Sequence, residues 1–98
     1  MKSIFMVDSL GEAFTVQSQK VKDGVLYKRT LVLVEVGVRY GDKVVATLLG
    51  NDAQEPLFGV GDFILATVRL STHEYNGHTY MDAVVEDYLT LGENKPKY

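Results

Sequence analysis

Apolar and polar residues alternate along the chain in short runs broken by Gly and by Asp-Gly or Asn-Gly, and no helical period persists. Val, Thr, Tyr and Phe, which suit a pleated and half-buried surface, dominate these runs. The pattern predicts five strands: strand 1 over Ser3–Lys22, strand 2 over Val25–Val36, strand 3 over Lys43–Leu49, strand 4 over Asp62–Tyr75 and strand 5 over His78–Leu91. Strand 1 is too long to be straight, and Gly11 is the expected bend or bulge that lets it serve two sheets. Between strands 3 and 4, Asp52 followed by Glu55 resembles a capping box. Pro56 disfavours helical geometry at Glu55, so at most one helical turn fits there. A single domain over 1–91 and a flexible tail over 92–98 complete the expected organisation.

Asp23-Gly24 and Asn76-Gly77 each suit a two-residue turn with positive φ at both central positions, and such a turn fixes the register. Counting outward from Asp23-Gly24 pairs Lys22 with Val25, Lys20 with Tyr27, Ser18 with Arg29, Val16 with Leu31 and Phe14 with Leu33. This predicts one face that is apolar far from the tip and carries Lys20, Lys22, Tyr27 and Arg29 near it. Counting from Asn76-Gly77 pairs Tyr75 with His78, His73 with Tyr80, Ser71 with Asp82 and Arg69 with Val84. The opposite face of this second hairpin, with Glu74/Thr79, Thr72/Met81, Leu70/Ala83, Val68/Val85 and Ile64/Leu89, is read as the core. Both histidines then gather with two tyrosines and Arg69 away from the core.

The composition narrows the possible chemistry. The chain has 98 residues and no Cys, which excludes a disulfide framework, a thiolate zinc site and a cysteine nucleophile. Ile4-Phe5-Met6-Val7 is too short for a signal peptide or a membrane span, so the expected location is cytoplasmic. A net charge of −3 disfavours binding of polyanions by bulk charge. Residues 18 to 29 run against that balance, with Lys20, Lys22, Lys28 and Arg29 opposed only by Asp23.

Five strands, a bent first strand and a connection after strand 3 fit a small closed Greek-key barrel of the OB-fold type, whose ligand face is flanked by the loops joining strands 1–2 and 4–5. Those loops are the two tips. Single-stranded nucleic acid needs aromatic rings for base stacking, about 1–3 kcal/mol per base, and Lys or Arg for the phosphates. On this reading Tyr27, Tyr75 and Tyr80 stack bases. Lys20, Lys22, Lys28, Arg29 and Arg69 contact phosphates, and His73 and His78 assist. The plainer reading is that such residues cover a sheet and keep its edges from aggregating.

Other chemistries fit less well. His73, Glu74 and His78 lack the helical His-Glu-x-x-His spacing, and Glu74 points away from both imidazoles, so a metal site is not expected. Ser71, His73 and Asp82 mimic a triad, but nothing supplies an oxyanion hole and an exposed hairpin excludes no water. No catalytic residue and no cofactor are expected. Val32, Val34 and Val36 form an outward stripe, joined by Val45, that reads as a subunit contact of a homodimer, or else as a face covered by the chain's own ends.

Leu48-Leu49-Gly50-Asn51-Asp52-Ala53, Val60-Gly61-Asp62, and Glu74-Tyr75-Asn76-Gly77-His78 followed by Tyr80 and Asp82 resemble an uncharacterised bacterial OB-fold family, common in Bacteroidetes and similar to single-stranded DNA-binding proteins. The likeness spans most of residues 25 to 86, and Lys28 to Leu33 fits its second strand more loosely. It implies an OB-fold and a single-stranded DNA-binding role, with neither catalytic residue nor cofactor. The chain departs from the pattern with Tyr75 where that family often has Trp and Thr79 where another aromatic is frequent. Its ending, Lys95-Pro96-Lys97-Tyr98, also lacks the acidic tail with which replication-type single-strand binders recruit partners. The residues themselves leave DNA and RNA both open. A protein-interaction or assembly module built on the same scaffold is the alternative.

Overall fold

The computed structural model describes residues 1–19, 22–37 and 43–92. The chain forms β1 (Lys2–Leu10), β2 (Phe14–Gln17), β3 (Val25–Glu35), β4 (Lys43–Leu49), a single helical turn α1 (Asn51–Gln54), β5 (Phe63–Tyr75) and β6 (His78–Gly92). The strands make one six-stranded sheet in the order β1-β5-β6-β4-β3-β2. Because β1 also pairs with β3, hydrogen bonding runs around a ring, and β2 extends it at one edge. All pairings are antiparallel except β4 with β6, which meet in parallel at Thr47 and Val84. No helix among the described residues is long and apolar enough to cross a membrane.

Alternation along each strand fills the ring. Phe5, Val7, Leu31, Leu33, Ala46, Leu48, Ile64, Ala66, Val68 and Val85 point inward and are buried, joined by Ala53 and Phe58 from the β4–β5 connection. Each large apolar side chain taken fully out of water contributes roughly 1.5–3 kcal/mol, so this one layer is the source of most of the stability. Phe58 meets Tyr88 edge-on, with ring centroids 5.0 Å apart. The Val60-Gly61-Asp62 segment has a structural task. Gly61 adopts φ +91°, Asp62 accepts from the Gly59 amide at 2.7 Å, and backbone bonds tie Gly61 and Asp62 to Val7.

The predicted first strand is divided at the expected place, with residues 11–13 separating β1 from β2. An added Cβ at Gly11 would lie 3.0 Å from the Thr30 carbonyl oxygen, so the bend requires close backbone approach. The predicted capping box does not form: Gly50 is the N-cap, and no side chain caps the turn. Helical geometry ends at Glu55, before Pro56, as proline sterics require.

The register of the first hairpin departs from the count made at its tip. Phe14 faces Lys28, Thr15 faces Tyr27, Val16 faces Leu26 and Gln17 faces Val25, which is the last pair before the tip. The predicted partners of Phe14 and Val16 are already engaged, since Val7 pairs with Leu33 and Leu10 with Leu31. Strand β2 is therefore confined to the part of β3 that β1 leaves free. Lys20, which the prediction set opposite Tyr27, lies outside the described residues.

The second hairpin follows its predicted register from Tyr75/His78 down to Val68/Val85, and Asn76 (φ 52°) and Gly77 (φ 77°) form the mirrored turn. Between Thr67 and Val68 a bulge leaves Glu86 without a partner, so Ile64 faces Thr90 and Leu89 faces Leu65, not Ile64 as predicted. The inward face also ends sooner than predicted. Val68 and Val85 are buried, whereas Leu70 and Met81 are 58% and 64% exposed. Past that point the hairpin leaves the barrel as an arm, in keeping with the elongated 50 × 30 × 19 Å shape. Gly92 belongs to β6, and the rest of the predicted tail, residues 93–98, lies outside the described residues.

Candidate nucleic-acid interface

One face of the arm carries Arg69, Ser71, His73 and Tyr75 from β5 opposite Val84, Asp82, Tyr80 and His78 from β6. Strand alternation puts these side chains together, and the turn at Asn76-Gly77 holds their register. His73 stacks on Tyr80 with centroids 5.5 Å apart and planes 22° apart, while His78 meets Tyr80 at 6.4 Å and 61°. The His73 Nδ1 lies 3.3 Å from an Asp82 carboxylate oxygen. Tyr75 and Tyr80 remain 67% and 46% exposed, so their rings are open to a ligand. The Arg69 Nε lies 2.7 Å from a Glu86 carboxylate oxygen, in an exposed pair.

Where the arm joins the barrel, this face runs into a groove of about 250 Å³ lined by Phe14, Val16, Leu26, Lys28, Thr47, Leu49, Asp82 and Val84. Three register matches build it: Phe14 faces Lys28 across β2–β3, Lys28 faces Leu49 across β3–β4, and Thr47 faces Val84 across β4–β6. The walls are apolar, with Lys28, Thr47 and Asp82 as the polar groups. Lys28 and Asp82 line the same groove without forming an ion pair.

The structure divides the predicted basic cluster. Lys28 lies in the groove, and exposed Lys22 borders a separate hollow with Gln17, Ser18 and Gly24. Tyr27 and Arg29 alternate to the other face of β3. The position of Arg29 argues against phosphate contact, because its guanidinium donates to the carbonyls of Ala53 (2.7 Å), Gly11 (3.0 Å) and Gln54 (3.3 Å). It thereby ties α1 to the strand 1 bend. A phosphate would have to compete with three carbonyls that the fold already supplies.

Sequence reasoning missed Phe14, Val16, Leu26, Leu49 and Thr47 as groove residues. The signal was the parity of Lys28, whose outward neighbours on β3 and partners on β2 and β4 are these residues. The register error at the first hairpin concealed it. Among the described residues no cluster of three or more His, Asp or Glu is arranged to hold a metal ion. Ser71 makes no hydrogen bond to His73, and residues two apart on one strand sit roughly 7 Å from each other. The nucleophile–base pair of a triad is therefore not formed.

The outer face also carries the valine stripe. Val32 pairs with Val45, Val34 with Met6, and the Val36 amide donates to the Ile4 carbonyl at 2.9 Å. Val45, Val36 and Ile4 are 63%, 43% and 42% exposed. Ile4 pairs with Leu65 and Leu65 with Leu89, so the apolar band crosses five strands, from β4 through β3, β1 and β5 to β6.

Comparison with family models, with curated proteins and with solved structures finds no match for this chain. The family resemblance rests on the quoted residues alone.

Proposed function

We propose that this chain is a non-enzymatic OB-type barrel that binds single-stranded nucleic acid along the groove and the aromatic face of its arm. The OB reading is supported by connectivity: with β1 and β2 counted as one bent strand, five strands remain, their first pairs with the second and fourth, and their third and fifth run parallel. The observation that carries the binding reading is continuity. Val84, Asp82, Tyr80 and His78 follow one another on a single face of β6 from the groove to the arm tip. A strand of nucleotides laid there meets ring faces at Tyr80 and Tyr75, imidazoles at His73 and His78, and cations at Lys28 and Arg69, with Lys22 on the neighbouring loop. The resemblance to single-stranded DNA-binding proteins adds to this reading and favours DNA.

Fluorescence anisotropy of a labelled oligo-dT at low and moderate salt tests it. Binding is expected to weaken as salt rises, because each neutralised phosphate releases a counterion. The Tyr75→Ala/Tyr80→Ala double variant is expected to lose affinity by roughly 2–6 kcal/mol, two bases' worth of stacking, while keeping its fold by circular dichroism. An unchanged affinity in that variant refutes the stacking platform.

A second reading is favoured by the apolar band: a module that self-associates through Val32, Val34 and Val36 with Val45 and Ile4. Light scattering tests it. A dimer insensitive to salt that dissociates on Val45→Glu supports it, whereas a monomer at high concentration refutes it.

A further inference from the structure

Asp82 is out of place in a groove meant only for a polyanion. Phosphate contacts position a strand without identifying its bases, and Lys28 and Arg69 suffice for that role. A carboxylate at the junction of groove and arm, with its side chain 57% exposed, repels phosphate and lowers affinity unless it meets a hydrogen-bond donor. The His73 Nδ1 lies 3.3 Å from one carboxylate oxygen, Oδ2, on the arm side, and the other oxygen has no partner among the described residues. The adjoining hollow, about 250 Å³ and floored by Leu49 and Val84, is smaller than a drug-sized pocket and suits one planar heterocycle.

We propose, building on the single-strand reading above, that Asp82 makes this groove a base-selective subsite that prefers guanine and disfavours thymine. An ionised carboxylate only accepts hydrogen bonds. Guanine presents two adjacent donors, the N1–H and an N2–H, spaced to match the two carboxylate oxygens in the paired geometry that makes such contacts strong. Cytosine and adenine offer an amino donor without the second, a poorer match. Thymine offers one N–H flanked by two carbonyl oxygens, and both repel a carboxylate. The apolar floor takes the ring face, Lys28 takes the adjacent phosphate, and Asp82 reads the edge.

The test compares oligo-dT with the same oligomer carrying a single central dG, by anisotropy on the wild type and on Asp82→Asn. A single guanine forms no quadruplex, and the protein can take it in register by sliding. The wild type is expected to bind the dG oligomer about tenfold tighter, corresponding to about 1.4 kcal/mol. Asp82→Asn is expected to lose this preference while binding oligo-dT at least as tightly, since a negative charge has gone. Equal wild-type affinities overturn the guanine subsite and leave the single-strand reading standing, as does a preference that survives in Asp82→Asn. Absence of binding to either oligomer overturns both.

Discussion

The β2–β3 and β5–β6 hairpins end in similar dipeptides, Asp23-Gly24 and Asn76-Gly77, yet they are organised from opposite ends. In β5–β6 the turn is local: Asn76 and Gly77 both take positive φ, and Tyr75 faces His78 across them. In β2–β3 the last strand pair is Gln17 with Val25, and the Ser18 amide donates to the Gly24 carbonyl at 3.0 Å. Among the described residues Asn76 is the one non-glycine with positive φ; Asp23 does not adopt it. The first hairpin inherits its register from the core, where buried Val7 faces buried Leu33, and passes it through the Gly11 bend with small slips. The second takes its register from the turn, because beyond Val68 and Val85 only Ala83 still packs against the core.

The difference separates two kinds of surface. A hairpin registered from the core has side chains that the barrel needs, and Arg29 illustrates this by holding α1 and the Gly11 bend. A hairpin registered from its turn has side chains that the barrel does not need. Its faces are free to serve a ligand, and the two histidines, Tyr75 and Tyr80 all lie there.

The largest expected contrast comes from the same substitution on either side of this divide. Leu33→Ala removes a fully buried side chain opposite Val7 and should cost about 3 kcal/mol, near the middle of the range for core leucines. Leu70→Ala, on the exposed arm, should change stability by under about 0.5 kcal/mol. Urea denaturation measures both. Comparable losses would mean that the arm packs against more than the strands assigned here.

A middle-sized contrast lies between neighbours on β3. Arg29→Ala should destabilise the fold by about 2 kcal/mol, since it removes charge-assisted bonds to three carbonyls, and Arg29→Lys should not restore it because one ammonium cannot reproduce the fork. Lys28→Ala should leave the melting curve in place and lower the slope of log affinity against log salt by about 1, as expected for a single phosphate contact. Thermal melts paired with a salt titration separate them. An exchange of the two phenotypes would reverse the assignment of the two faces.

Much of this arrangement was legible in the sequence. Strand 3 was found residue for residue, strands 2, 4 and 5 ended within one residue of β3, β5 and β6, and Gly11 marked the break in strand 1. These succeeded because alternation and glycine punctuation are local signals. The first register failed because it is a non-local fact: which part of β3 remains for β2 depends on where β1 pairs, and no tip dipeptide encodes that. The Glu86 bulge left no local mark either, since Val84-Val85-Glu86-Asp87 reads as an ordinary strand until it has to curve around a barrel. On the candidate site, the register that brings the arm-face residues together was legible because its turn is local. The groove was missed because it depends on the register that was not.

The smallest contrast tests this account most directly. Asn76→Ala places an ordinary side chain at φ 52°, a left-handed conformation that costs about 1–2 kcal/mol. That cost falls on the arm alone, because residues past Val68 and Val85 add little to the core. The global melting temperature should therefore hardly move, while amide exchange speeds up through residues 69–84 by roughly five- to thirtyfold, the ratio such an energy implies. Asp23→Ala changes an exposed residue without positive φ, and exchange in β2 and β3 should stay as it is. Equal acceleration in both hairpins would show that the turn dipeptide guides β2–β3 as well, and the core could no longer be credited with its register.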